Sequence, residues 1–112
     1  MKDCIFCTLA NKDKEKKIYE NDNFFSVLDV NPVTIGHCLV ISKKHFKTTL
    51  DMPNTLGDEL LDCIKNTALK TVKDTNSEGF KVVNNNFSAA GQVIHHVHFH
   101  IIPRKKGDGV KL

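Results

Sequence analysis

The chain lacks the long apolar segments of proteins that are inserted into or exported across a membrane. No run approaches the ~18 apolar residues that a transmembrane helix needs. Residues 1–7 show no apolar stretch followed by a small-residue cleavage site, so no signal peptide is visible. Four cysteines are present, and in a chain without an export signal we expect them to stay reduced. These absences predict a cytoplasmic protein with no membrane partner.

The sequence also lacks a strong charge of either sign. Its net charge is +3, aromatic residues make up 7% of the chain, and the lysines are scattered rather than interleaved with aromatics. This pattern does not favour a nucleic-acid partner, whereas it is compatible with a small anionic ligand. No repeat or low-complexity segment interrupts the 112 residues, which fit one domain spanning positions 1–112.

Hydrophobic periodicity predicts an α+β fold. Apolar residues recur every four positions between the turn signals at 53–55 and 76–79, which indicates a helix of about five turns. The apolar stripe of this helix contains Leu56, Leu60, Leu61, Cys63, Ile64, Ala68 and Val72. Strand patterns cover 18–20, 24–30, 37–41, 80–84 and 94–102, and residues 4–11 suit a short helix. We therefore expect an antiparallel sheet of about five strands packed by one long helix, plus a short N-terminal helix.

The last predicted strand carries an unusual set of histidines. Side chains alternate between the two faces of a strand, so His96, His98 and His100 share one face. Val97, Phe99 and Ile101 then point to the opposite face, towards the core. Stacked imidazoles repel one another when they are charged, so folding alone does not explain three of them in a row.

Two kinds of chemistry use such a cluster. Imidazoles bind catalytic metals, and they also attack phosphorus while neighbouring groups hold charge and donate protons. A catalytic metal site usually adds carboxylates, yet residues 84–103 contain no Asp or Glu. Small residues and amides precede the histidines instead, and these suit the binding of an anion. Phosphate chemistry is the better interpretation.

Residues 91–102 closely resemble the signature of the histidine triad (HIT) family, His-φ-His-φ-His-φ-φ, where φ is apolar. Residues 4–7, 28–32 and 36–45 are similar to three further motifs of the family, in the same order along the chain. The short length is similar to that of the Hint-like branch, the nucleoside phosphoramidate hydrolases. The resemblance implies a single HIT domain, and it extends over nearly the whole chain.

The resemblance also implies a role for each site residue. His98 would be the nucleophile that takes up the nucleotidyl group, with His100 and His37 in the same pocket to position the phosphate or balance its charge. The implied ligand is an AMP-like purine nucleotide, and no catalytic cofactor is implied. The implied nucleotide contacts are Asp29 to the ribose, Val30 and Phe24 near the base, and Asn85 and Gln92 to the phosphate or its leaving group. Relatives form two-fold dimers, which implies a homodimer here.

Cys4-x-x-Cys7 supplies half of a tetrahedral zinc site. His45 and His96 are the available candidates for the other two ligands. Relatives that begin with this motif bind zinc through two cysteines and two histidines, so the resemblance implies a structural Zn²⁺ held by these four residues. The alternative interpretation is a pair of small, half-buried thiols.

Two positions depart from the family pattern. Val93 stands where many relatives carry Ser or Thr after the glutamine, and Phe87 stands where many carry Gly. The first departure leaves the source of a proton for the leaving group open. The leading hypothesis is hydrolysis or transfer at a nucleoside 5′-phosphoramidate or a related P–N or P–O linkage. The alternatives are a dinucleoside polyphosphate hydrolase, a purine-nucleotide-binding regulatory protein with residual hydrolysis, and a zinc protein whose histidines serve metal alone.

Overall fold

The computed structural model describes residues 4–11 and 16–111. Its elements in chain order are helix α1 (Ile5–Ala10), strands β1 (Lys17–Glu20), β2 (Phe24–Leu28) and β3 (Cys38–Ser42), helix α2 (Gly57–Thr75), and strands β4 (Gly79–Val83) and β5 (His98–Arg104). The strands form one antiparallel sheet in the order β1-β2-β3-β5-β4. The predicted fold class, with one long and one short helix, is confirmed.

Both faces of the sheet are covered, whereas the sequence pattern predicted cover on one face only. On the α2 side, the core contains Phe24, Cys38, Val40, Cys63, Ala68, Val97, Phe99 and Ile101. On the α1 side, it contains Phe6, Phe25, Val27, Leu39 and Ile41. The first four residues of β2 are therefore all buried, although they alternate between the two faces.

Helix α2 begins later than predicted, and the residues that it buries against the sheet differ from the predicted apolar stripe. Residues 54–56 form a 3₁₀ turn, and α-helical geometry starts at Gly57. Thr67 and Thr71 are buried on the sheet side, whereas Leu61 is 56% exposed, so its assignment to the stripe was wrong. Hydroxyls tolerate this burial because they are hydrogen-bonded: Thr67 Oγ1 donates to Ser26 Oγ at 2.7 Å. The helix ends at Asn76 in the left-handed conformation (φ 54°), within the predicted stop.

Strand β5 is shorter than its sequence pattern, because ladder pairing begins at His98 rather than at residue 94. The Val97 N–H donates instead to the Phe46 carbonyl at 2.7 Å, outside the sheet. The predicted faces are nevertheless correct. Phe6 of α1 makes ring contacts with both His96 and His98, while the intervening apolar residues belong to the α2-side core. No helix in the described part of the chain is long and apolar enough to cross a membrane.

Candidate active site

A cleft of about 470 Å³ lies on the α1 side of the sheet, where the end of β2 meets the starts of β3 and β5. The polar side chains that line it are Asp29, Asn31, His37, Asn85, His98 and His100. The antiparallel register pairs Leu39 with His100, which brings the beginning of β3 to the histidines of β5. Of the three predicted catalytic histidines, the structure therefore brings all three together.

Hydrogen bonding fixes the tautomer of His98. Its Nδ1 lies 2.7 Å from the carbonyl oxygen of His96, and a carbonyl can only accept, so Nδ1–H is the donor. In the neutral ring the proton is thus on Nδ1, and Nε2 carries the lone pair. The side-chain amide of Asn84 donates to the His98 carbonyl at 2.9 Å and holds the backbone at this position. His98 can therefore act as a nucleophile through its unprotonated Nε2.

A second chain of hydrogen bonds orders His37 and His100. The Val33 N–H donates to His37 Nδ1 at 3.0 Å, so the proton of neutral His37 is on Nε2. That Nε2 lies 2.9 Å from His100 Nδ1, which must accept, so His100 carries its own proton on Nε2. Asp29 Oδ2 lies 3.4 Å from the same His37 nitrogen. His100 is thereby prepared to donate Nε2–H to an anion in the cleft.

Burial keeps these two imidazoles neutral. It lowers the pKa of His37, against the opposing effect of the Asp29 carboxylate. Burial, followed by the neighbouring His98 and His37 rings, lowers the pKa of His100 to about 4. Both rings are neutral at pH 7, in agreement with the tautomers that the hydrogen bonds require.

Gly36 sets the path of the chain into this site. It has a φ of +89°, and a Cβ at this position would lie 2.6 Å from both Thr71 Oγ1 and Thr75 Cγ2. Only glycine tolerates that backbone conformation together with so close an approach of α2. The Gly36 carbonyl also accepts from Thr71 Oγ1 at 2.6 Å. Helix α2 thus fixes the backbone directly before His37.

Beside the cleft, Cys4, Cys7, His45 and His96 bring four metal-ligating atoms within 4.8 Å of one another. Cys4 Sγ lies 3.2 Å from His96 Nδ1, and Cys7 Sγ lies 3.3 Å from His45 Nδ1. Zinc–sulfur bonds of about 2.3 Å and zinc–nitrogen bonds of about 2.0–2.1 Å give sulfur–nitrogen separations near ~3.5 Å in a tetrahedron. The predicted ligand set is therefore compatible with zinc.

The His96 ring fits a metal in a further respect. Its Nε2 lies 2.7 Å from the Ser42 carbonyl and must donate to it, which leaves a lone pair on Nδ1 beside the sulfurs. Burial lowers the pKa of His96 to about 4, so the ring is neutral at pH 7. Metal-bound histidines characteristically donate their other N–H to a carbonyl or carboxylate in this way.

Asp29, His37 and His100 also place three potential ligand atoms within 4.8 Å of one another. Their hydrogen bonds do not suit a metal, however. A metal at His37 Nε2 would require the proton to move to Nδ1, where it would face the N–H of Val33. This conflict disfavours the interpretation in which all the histidines bind metal. It supports a site in which the imidazole tautomers are fixed so that an N–H can donate to an anion.

Two predicted nucleotide contacts are not in the cleft. Phe24 is 0% exposed and packs in the α2-side core, on the opposite face of the sheet, because alternation along β2 turns it away. The Gln92 amide is buried and fully used within the protein: it donates to the Lys47 and Ile94 carbonyls and accepts from the Phe87 N–H. It braces the loop rather than facing a ligand.

The other predicted contacts do line the cleft. They are Asp29, Val30 and Asn85. Sequence reasoning missed the apolar neighbours Ile5 and Leu28, which line it as well and remain exposed. The only signals were the position of Ile5 within the CxxC motif and that of Leu28 at the end of a strand, and neither separates a cleft from an ordinary surface.

The HIT domain family profile matches residues 10–107. The chain belongs to the HIT family. It is 43% identical over 109 residues to an uncharacterised HIT-like protein of Methanocaldococcus jannaschii, covering 95% of this chain and 82% of that protein. Two similar HIT-family proteins are named for an activity. An adenylylsulfatase of Arabidopsis thaliana is 39% identical (95% of this chain, 54% of that protein), and an adenosine 5′-monophosphoramidase of Candida albicans is 34% identical (91% and 70%).

A zinc-bound HIT protein from Mycobacterium smegmatis has a similar solved structure. It superposes with a TM-score of 0.89 at 31% identity, over 99% of this chain and 81% of that one. The cysteine–histidine cluster of this chain is compatible with a zinc ion like the one bound by that relative. The HIT fold is therefore shown by both sequence and structure.

Proposed function

We propose that this HIT protein is a nucleotidyl hydrolase or transferase that cleaves P–N or P–O linkages of purine nucleotides through a covalent nucleotidyl-His98 intermediate. The observation that carries the proposal is the tautomer of His98. Its Nδ1–H is committed to the His96 carbonyl at 2.7 Å, so the Nε2 lone pair is free to attack phosphorus. The names of the two similar enzymes, an adenylylsulfatase and a phosphoramidase, support this class of reaction.

The chemistry proceeds in two steps. His98 Nε2 forms a bond to phosphorus while the bond to the leaving group breaks, and the leaving group takes the electron pair. Water then attacks the nucleotidyl-His98 bond, releases the nucleoside monophosphate and regenerates the imidazole. His100 donates Nε2–H to a phosphoryl oxygen, where charge builds up in both transition states.

In this proposal the phosphate lies beside the histidines, and the ribose and base extend towards the open edge of the cleft. Asn85 donates to the phosphate, and Asp29, which already accepts the Asn31 N–H at 2.9 Å, accepts from the ribose hydroxyls. Val30 lies at the open edge of the cleft and packs against the base. A few polar side chains next to an apolar wall are typical of sites that bind small molecules.

Zinc, when bound to Cys4, Cys7, His45 and His96, would tie α1 to the segment before β5. Its contribution is structural. His96 is the residue that connects the two sites, because its carbonyl holds His98 Nδ1 while its ring faces the cysteines. All four cysteines lie within the described residues and none of them forms a disulfide, which supports a location in the reducing cytoplasm.

The edge of the sheet supports a homodimer. β4 is an outer strand, and Phe80 and Val82 on it are exposed, as is Leu69 of α2. Exposed apolar residues on an outer strand are typical of strands that pair with another chain. Light scattering should therefore give twice the 12.6 kDa mass of the chain, and Phe80→Lys should reduce it to the single-chain value.

A steady-state assay tests the proposed function. The protein, His98→Ala and His95→Ala are each incubated with adenosine 5′-phosphoramidate, adenylyl sulfate and diadenosine polyphosphates. His95 is exposed and does not line the cleft, so it is the matched control on the same segment. We expect His98→Ala to lose about 1,000-fold or more in kcat and His95→Ala to stay within about 2-fold. Binding of AMP without turnover of any substrate would favour the regulatory alternative.

A further inference from the structure

The main chain of His98 lies where the pairing of β4 with β5 has already ended. On one side of β5, strand β3 pairs as far as His98, whose partner is Ile41. On the other side, the last paired residues of β4 and β5 are Val83 and His100, two positions short of His98. His98 is only 8% exposed, and a buried carbonyl without a hydrogen-bond donor is costly. The His98 carbonyl therefore needs a donor from outside the paired strands.

Asn84, the residue directly after β4, supplies this donor. Its Nδ2 donates to the His98 carbonyl at 2.9 Å. Its Oδ1 accepts from Thr49 Oγ1 at 2.5 Å and from Asn86 Nδ2 at 2.6 Å. Because the carbonyl can only accept and the Asn86 amide nitrogen can only donate, a single orientation of the Asn84 amide satisfies these contacts. Its N–H is thus directed to the main chain of His98.

The far side of this amide is anchored to a structured turn. Thr49 is the first residue of the 3₁₀ turn Thr49–Asp51, which the buried Thr48 caps through a reciprocal pair of hydrogen bonds between side chains and backbone. The Thr49 N–H also donates to Asn86 Oδ1 at 2.8 Å. Thr49 therefore contacts both asparagines, one through its hydroxyl and one through its backbone. These bonds fix the position from which Asn84 reaches His98.

We propose that Asn84 is a positioning residue for the nucleophile, because its amide holds the main chain of His98 so that the ring presents Nε2 to phosphorus. This inference rests on the proposed nucleotidyl transfer to His98. Asn84 does not line the cleft, so it acts through His98 and not on the ligand. The His96 carbonyl holds the ring at Nδ1 and Asn84 holds the backbone, and the line of attack depends on both. Loss of the Asn84 contact slows the chemical step and leaves nucleotide binding nearly unchanged.

Three variants isolate this contact. Asn84→Asp keeps the size of the side chain and an oxygen for its two donors, but it removes the N–H and places a carboxylate oxygen against the His98 carbonyl. Thr49→Val removes one donor that orients the amide and leaves Asn84 intact. Because Thr49 is exposed, this variant keeps the test available if Asn84→Asp does not fold. Asn54→Asp, the same exchange at an exposed position in the turn before α2, is the matched control.

The first readout separates the chemical step from binding. It compares the single-turnover rate of nucleotidyl-His98 formation from adenosine 5′-phosphoramidate with the Kd for AMP. We expect Asn84→Asp to lower the rate about 10- to 100-fold, as a small misplacement of a reacting group does, with Kd within about 2-fold of wild type. Thr49→Val should lower the rate about 3- to 10-fold, as expected for the loss of one hydrogen bond. The control should change neither quantity.

The second readout needs no substrate. In the free protein, the NMR signal of the His98 carbonyl carbon should move upfield in Asn84→Asp, because the carbonyl loses its donor, and should stay in place in Asn54→Asp. An unmoved signal in Asn84→Asp, a rate within about 2-fold of wild type, or a loss of AMP affinity as large as the loss of rate would overturn the proposal. Absence of nucleotidyl-His98 in the wild-type protein would overturn the proposed function, while the carbon signal still decides whether Asn84 holds His98.

Discussion

His37 Nε2 lies 2.9 Å from His100 Nδ1, and the direction of this hydrogen bond is set by the backbone N–H of Val33. Because that N–H donates to His37 Nδ1, the proton of His37 is forced onto Nε2, and the proton of His100 onto its own Nε2. These contacts define one tautomer of the His100 ring, which lines the cleft. In the proposed mechanism, His37 is a positioning residue and His100 touches the substrate.

His37→Asn should lower kcat about 100-fold, because His100 would lose the donor that fixes its tautomer. The effect on KM should be smaller, since the ribose and base contacts remain. His95→Asn, an exposed change on the neighbouring segment, is the control and should leave kcat within about 2-fold. An equal loss in kcat and in the affinity for AMP would contradict a positioning role.

The same variant should change the titration of His100. Burial and the His98 and His37 rings lower its pKa to about 4, so His100 is neutral above that pH and becomes imidazolium below it. Removing His37 admits water and removes a neighbouring ring that opposes protonation of His100, and both changes favour the protonated form. The pKa should therefore rise towards its usual value near ~6.5. A histidine NMR titration measures the shift, and an unchanged value would show that His37 does not shape this environment.

Cys4→Ser should remove the structural zinc and loosen the active site with it. The serine hydroxyl is a poor zinc ligand, and His96 would lose its partner at Nδ1. Because the His96 carbonyl holds His98, we expect lower thermal stability and lower kcat together. Elemental analysis gives the zinc content, with Cys63→Ser as the control for loss of a buried thiol elsewhere. Full zinc stoichiometry in Cys4→Ser would rule out Cys4 as a ligand.

Phe87→Gly should stabilise the fold. Phe87 has a φ of +70°, a region that strongly favours glycine, and its side chain is half exposed. Relief of backbone strain is worth about 1–3 kcal/mol, offset by about 0.5–1 kcal/mol for the added freedom of glycine in the unfolded chain. Phe87→Ala removes the same ring but keeps a Cβ, so urea unfolding should rank glycine above alanine. Equal stability of the two would show that φ is not the cause.

The sequence predicted the sheet and the histidine face well, because both depend on simple periodicity. It did not predict the start of β5, since the alternating pattern runs on through residues 94–97, whereas the Val97 N–H donates to the Phe46 carbonyl outside the sheet and the His96 ring contacts the Cys4 thiol. Periodicity places a residue on a face but does not say what covers that face. Phe24 was assigned to the nucleotide from the family resemblance, and nothing in its strand pattern showed that its face is covered by α2.

Gln92 shows a second limit of sequence reasoning. A glutamine directly before a catalytic strand suits a phosphate contact, and nothing local distinguishes that role from bracing a loop. The difference arises from three backbone partners, of which the Lys47 carbonyl is 45 positions away in the chain. The tautomers of the histidines are likewise set by carbonyls and N–H groups that become neighbours only in the folded sheet.

The covalent intermediate tests the account most directly. The protein is mixed with adenylyl sulfate or adenosine 5′-phosphoramidate, quenched within one turnover in alkaline denaturant, and examined by intact and peptide mass spectrometry. We expect an adenylyl adduct on His98 in the wild-type protein and in His95→Ala, and no adduct in His98→Ala. Turnover without any adduct, together with activity retained in His98→Ala, would contradict the assignment of His98 as the nucleophile.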